Sequence, residues 1–197
     1  MLDGKQVLAP YPLVVTPQRL GHFRANFRLL ARPYALSKAV AANSRTQFAV
    51  VQHSAAAVKA AYLRRCTFFL ESVSANGLYT VDLVRLTTNA VTGNPGITPT
   101  AMKPGLFSEA IALALPTTGG TEGALISSRG FALNSTGSTP NTSPPAPLVE
   151  VELYGHEGEG EEPATLRAGN ADGWAVVVDS PVASTVKGFV RIEFWEA

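Results

Sequence analysis

The feature that most constrains this chain is alternation with a period of two. In Leu148–Tyr154, Val149, Val151 and Leu153 fall on one side, and Glu150 and Glu152 on the other. Successive side chains of a strand point to opposite faces, so this pattern buries one face of a sheet and wets the other. The same period runs through Leu63–Ser72, with Cys66, Phe68 and Leu70 inward, and through Leu78–Thr88, with Tyr79, Val81 and Leu83 alternating. It returns in Trp174–Asp179, where Trp174, Val176 and Val178 share a face. In Val186–Trp195, Val190, Ile192 and Phe194 face in, while Phe189, Arg191, Glu193 and Trp195 face out. Thr46–His53 is apolar on both faces, Phe48 and Val50 on one, Ala49 and Val51 on the other, as in a strand at a sandwich core.

Gly21–Leu29 fits two patterns. Leu20, Phe23, Phe27 and Leu30 would line a helix, but Phe23, Ala25, Phe27 and Leu29 alternate strictly with Arg24, Asn26 and Arg28. The aromatics favour the strand. Ala124–Leu133 and the short Ala164–Arg167 complete a set of eight or nine strands. The connections are expected to be irregular. Residues 34–43 read as a loop or a single helical turn, and 54–62 as a brief helix or a connection. Residues 89–105 and the turn 119–123 are rich in glycine and polar residues. Residues 106–115 suggest a short helix or an irregular covering segment, and 134–147 a polar, exposed, mobile loop. Ala75-Asn76-Gly77 predicts a tight hairpin between the strands that flank it, since Asn-Gly tolerates the positive φ of such turns. Many strands with little helix predict an all-β protein, an antiparallel β-sandwich of jelly-roll-like form.

Hydrophobic residues make up 46% of the 197 and charged residues 16%, so the chain has ample apolar surface to bury and is not disordered by composition. No run reaches the ~18 apolar residues that span a bilayer, and the N-terminus lacks the apolar stretch of a signal peptide. Pro10, Pro12 and Pro17 make residues 1–19 an extended arm, because each removes an N–H and fixes φ. Residues 20–197 then form a single sandwich domain. The arm carries Leu8, Tyr11, Leu13 and Val15, which have little reason to face water and are candidates for packing on another subunit.

Charge divides the chain unevenly. Residues 1–65 hold ten Lys/Arg against Asp3, a balance of +9, and the remainder balances at −8. Arg24 and Arg28 share one strand face, and Glu157, Glu159, Glu161 and Glu162 crowd the loop 155–163. These two groups are candidate contacts for partners of opposite charge. Mixed charge on one folded surface is the plainer reading. Nucleic acid is disfavoured, since Phe23 and Phe27 lie on the face opposite the arginines and stacking needs both together. The acidic loop lacks the Asp/Asn spacing of a calcium loop. Single Cys66 excludes an internal disulfide and a cysteine zinc site, and its place among Phe68 and Leu70 makes it a buried, inert thiol. His22, His53 and His156 show no ligand spacing, and His22 and His53 read as ordinary surface or interface residues. No nucleophile elbow or phosphate-binding glycine loop is present. The reading is therefore a protein without enzyme activity, cofactor or metal.

Five segments, GHFRANFRLL, NSRTQFAVVQHS, AYLRRCTFFLESVSANGLYTVDLVRLT, LRAGNADGWAVVVDSP and VKGFVRIEFWEA, in this order resemble a loosely defined group of tailed-phage virion proteins over most of residues 20–197. Leu166, Gly169 and Gly173 stand in that group's glycine turn, and Phe194-Trp195-Glu196 at its closing aromatic–acid block. The matching motifs are structural and carry no active-site residue. The resemblance implies a capsid decoration or cement protein that binds the head shell. The major capsid protein or another virion protein would be its partner, a homo-oligomer (trimer favoured) its state, and the virion, assembled in the host cytoplasm, its location. A tail or neck protein and a carbohydrate-binding module are the alternatives. The module would need exposed aromatics, for which Trp195, Tyr154 and Tyr79 are the candidates. A cupin-like enzyme would need paired histidines that the chain does not have.

Overall fold

The computed structural model describes residues 21–27, 36–90, 99–102, 104–133, 149–155 and 163–197. These form twelve strands and no helix. Two antiparallel sheets pack face to face as a β-sandwich. One sheet is built on β4 (Ala61–Val73) and β12 (Ser184–Glu196), paired along most of their length. β9 (Val149–Gly155) and the two-residue β10 (Thr165–Leu166) line the outer side of β4. β2 (Leu36–Val40) and β1 (Gly21–Phe27) line the other side of β12, with β6 (Thr100–Ala101) beyond β1. The second sheet runs β7-β3-β11-β5-β8, from β7 (Ile111–Ala114) through β3 (Ser44–Gln52), β11 (Gly173–Ser180) and β5 (Gly77–Leu86) to β8 (Glu122–Leu133).

The core between the sheets comes from the inward positions of the alternating strands. Cys66, Phe68 and Leu70 meet Tyr79, Val81 and Leu83, with Trp174, Val176, Val178, Val190, Ile192 and Phe194 around them. Phe48 meets Phe68 edge-on at 6.1 Å, and Trp174 lies 6.1 Å from Phe194. Glu150 and Glu152 of β9 face solvent while Leu153 is buried, as the alternation predicts. On the outer face of the first sheet Phe69 and Phe189, directly opposite in the ladder, stack at 4.2 Å, and Arg191 lies 5.4 Å over the Phe69 ring.

Several expectations are corrected. Residues 36–40 form a strand, not a loop or helical turn, because β12 extends past β1 and offers its free edge at Ser184–Gly188. Residues 54–60 are a connection, one of the two forms expected, and Ala61 and Tyr62 already belong to β4. Within 106–115, residues 111–114 pair with β3 as a strand and the rest is irregular. The loop expected over 89–105 contains β6. The Asn-Gly segment does not close a hairpin: β4 and β5 lie in different sheets, and the chain crosses between them at 74–76. A two-residue hairpin turn needs positive φ at its centre, yet among the described residues positive φ occurs only at Asn43, Gly105, Leu115 and Gly169. Phe48 does not share a face with Val50. The ladder steps from Ala49 opposite Val176 to Gln47 opposite Val177, which leaves Phe48 as the extra residue of a bulge and turns it to the main core.

The second apolar face of β3 is covered by the chain itself. Val50, Val84, Leu86, Leu113, Ala175 and Val177 form a smaller core outside the second sheet, with Ala90. Two buried glutamines fasten the covering segments. Gln47 donates to the Gly120 carbonyl (2.7 Å) and accepts from its amide (3.0 Å), and Gln52 does the same with Ala90 (3.2 and 2.8 Å). A strand apolar on both faces therefore does not by itself require a second subunit here. The expected arm (1–19) and the loop 134–147 lie outside the described residues.

Candidate interaction surface

Strand direction gathers three connections at one end of the sandwich. β3 ends at Gln52 and β4 begins at Ala61, so residues 53–60 cross between the sheets there. β7 begins at that end, with Ile111 opposite Gln52, and residues 104–110 lead into it. β9 ends there, with Gly155 opposite Arg65, and residues 163–172 lead back into β11. The first strand starts at the same end, with Gly21 opposite Glu196, and β12 finishes there.

Hydrogen bonds fasten these loops to each other. The amide of Gly169, a residue at φ 71° where a side chain would be strained, donates to the Ala57 carbonyl at 2.7 Å. The Glu109 carboxylate accepts from the amides of Val58 (2.7 Å) and Lys59 (3.0 Å). Glu196 is buried and accepts from the Ser108 hydroxyl (2.5 Å) and the amides of Glu109 and Ala110 (3.1 Å each). Burial pushes this carboxyl up, but His53 and these hydrogen bonds outweigh it and hold the group below its ordinary value of 4.5. The Ala60 and Ala197 backbones bond reciprocally. Asp172, also buried, receives Arg85 at 2.6 Å and Arg167 at 3.2 Å.

His53 corrects the expectation of a surface residue. It is fully buried, with Nε2 3.8 Å from Glu196 Oε1, and neither ring nitrogen has a hydrogen-bond partner among the described residues. The serine, histidine and glutamate are not ordered as a nucleophile and its base. The Ser108 hydroxyl bonds the carboxylate and not the imidazole, unlike the Ser–His pair of a serine nucleophile. The group serves as a clamp on the C-terminal strand.

What the clamped loops present is apolar. Phe107 is 82% exposed and Val58 79%, and Met102, Leu106 and Ile111 are also exposed at this end. They make five of the seven large exposed hydrophobic residues among those described, so they form a concentration rather than the scatter usual on a protein surface. Val58 and Phe107 stand on backbone that Glu109 ties together, so a partner would meet a preset shape.

Of the candidates from the sequence, Arg24 lies in β1 opposite Glu193 of β12 and Thr100 of β6. Leu8, Tyr11, Leu13, Val15, Arg28, Glu157, Glu159, Glu161 and Glu162 lie outside the described residues. The anchor points of two of those segments, Gly21 for the arm and Gly155 with Pro163 for the acidic loop, are at the same end as Phe107. The sequence reading missed the exposed loop itself. Leu106 and Phe107 lie in an apolar run, which signals burial until the surrounding strands are placed. Cys66 is buried, and burial pushes its thiol far above the ordinary range. Of the aromatics that a glycan surface would need, Tyr79 is buried and Tyr154 and Trp195 are half-buried, with Arg64 5.6 Å over the Trp195 ring. No family model, curated protein or solved structure matches the chain.

Proposed function

We propose that this chain is a non-enzymatic structural protein of a bacteriophage virion, a decoration or cement protein that binds the head shell through the major capsid protein or another virion protein. The observation that carries the reading is the clamped loop end, where a rigid sandwich holds Phe107 and Val58 in water. Apolar side chains in a fixed geometry are what a stable protein contact uses, and aromatic residues are enriched among the residues that dominate such contacts.

Strand order supports the finer reading of the sandwich as a jelly roll. With the short β6, β7 and β10 set aside, β9-β4-β12-β1/β2 faces β8-β5-β11-β3. Counting β1 and β2, which both pair along one edge of β12, as one position, consecutive strands alternate between the sheets except at β5–β8, as in eight strands wound as two Greek keys, an architecture used by viral capsid proteins, lectins and cupins. The space between the sheets is filled by Phe48, Phe68, Trp174 and Phe194, and the half-buried aromatics give a lectin-like face no open row. Both observations favour the capsid-type use.

The test is labelling of native phage particles with an antibody raised against this chain. Label on the head shell supports decoration. Label confined to the neck or tail overturns the head assignment, and the absence of label from every particle overturns the virion reading.

A further inference from the structure

We infer that the apolar loop end is the seat for the N-terminal segment, residues 1–20, of a second copy of this chain. The inference goes beyond the virion reading and stands whether or not the protein belongs to a phage.

Three observations carry it. The first is location. β1 begins at Gly21, opposite Glu196, and Glu196 bonds the amides of Glu109 and Ala110, three residues or fewer from Phe107. Gly21, where the segment joins the described fold, therefore lies beside the seat. β6 runs antiparallel to β1, with Ala101 opposite Phe23, which sends Met102 toward the same end. The second is chemistry. Residues 1–20 contain Val7, Leu8, Tyr11, Leu13, Val14, Val15 and Leu20 against only Asp3, Lys5 and Arg19 as charges. This sequence matches an apolar seat and has little reason to remain in water. The third is that the described residues leave the seat open, with Phe107 82% exposed.

Reach and symmetry favour exchange. From Leu13 to Gly21 the chain can extend about 26 Å at ~3.3 Å per residue, enough to leave its own end and cross to a neighbour's. The arm's point of attachment at Gly21 and the seat share one end of the molecule, so copies that meet with these ends around a rotation axis can exchange arms in a closed ring. Pro10, Pro12 and Pro17 exclude the other obvious acceptor, the edge of β8, which pairs only with β5 among the described strands. A segment with three missing N–H groups cannot add as a regular strand. It can dock through side chains on a loop surface.

The experiment uses the full chain with a photoreactive benzophenone analogue of phenylalanine in place of Phe107. Light and isotopically heavy preparations are mixed, allowed to exchange, and illuminated. The expected product is a cross-linked pair whose digest joins residue 107 to the peptide 6–19, with light–heavy hybrids present. Cross-links to 6–19 without any hybrid would place the arm on its own chain and overturn the exchange. Cross-links to another segment, or none, would overturn the seat. In parallel, Phe107→Asp and Leu13→Asp in the full chain should each weaken self-association about thirtyfold by sedimentation while leaving the circular dichroism spectrum intact. An unaltered association constant in either folded variant would refute the inference, as would a wild-type chain that stays monomeric at all concentrations.

Discussion

Replacing Glu196 with alanine should release the C-terminal strand from the loop that leads into β7. The carboxylate accepts from three donors: the Ser108 hydroxyl and the amides of Glu109 and Ala110. After truncation the Glu109 amide loses both its contacts to that carboxylate. The Ala110 amide keeps only the Ser108 oxygen at 3.1 Å. Leaving a buried donor unsatisfied costs about 1–3 kcal/mol. One donor lost outright and a second in part give a loss of about 3 kcal/mol. For a chain of this size that lowers Tm by roughly 6–12 °C. Glu196→Gln keeps one acceptor oxygen but turns an amide donor toward amides, so it should fall between wild type and alanine. The comparison also has a pH signature. The folded carboxyl lies below its ordinary value. Its contribution is therefore complete above that ordinary value and is lost as pH falls through the lower folded value. Urea unfolding from pH 7 down to pH 3 should show a gap between wild type and Glu196→Gln that is constant near neutrality and narrows as the pH falls below the carboxyl's ordinary value. An alanine variant within about 0.5 kcal/mol of wild type, or a gap that does not narrow at all below the carboxyl's ordinary value, would show that the clamp does not hold the strand.

Other outcomes follow from the same geometry. Gly120→Ala would set a methyl on the Thr88 carbonyl oxygen and 2.9 Å from Leu86 Cδ1, so denaturant unfolding should show a loss of about 2 kcal/mol or more. Phe48→Ala, at a fully buried position, should cost about 3–5 kcal/mol in the same assay, whereas Phe107→Asp should leave stability nearly unchanged; equal effects would contradict the assigned burial. The Cys66 thiol, buried and held protonated, should react with a thiol reagent only as fast as the protein unfolds, and rapid labelling of the native chain would refute that placement. If the acidic loop attaches the protein to its partner, replacing Glu157, Glu159, Glu161 and Glu162 with glutamine should weaken attachment and its salt dependence. Unchanged attachment together with salt-dependent DNA binding would point to nucleic acid instead.

Local sequence was enough to assign the long strands and their inward faces. Val149, Val151 and Leu153, or Trp174, Val176 and Val178, declare a strand and its buried side because side-chain direction along a strand depends only on the parity of position. The same logic placed Cys66 in the core. Pairing is another matter, because a ladder bond joins residues far apart in sequence. Asn76-Gly77 announces a change of direction but not whether the chain returns in its own sheet or crosses to the other; here β12 and β11 take the places beside β4 and β5. Ladder register likewise decided that Phe48 joins the main core through a bulge, and that residues 36–40 extend beside β12 despite their helical propensity. Burial of His53 and exposure of Phe107 were also beyond local reading. Neither residue's environment comes from its neighbours in sequence: Glu196 reaches His53 across most of the chain, and Phe107 stands in water because Glu109 and Glu196 hold its loop at the end of the sheets. Composition and alternation thus determine that the chain buries paired β faces. Only the closing of distant strands decides which polar groups become the clamps and which apolar side chains are left exposed.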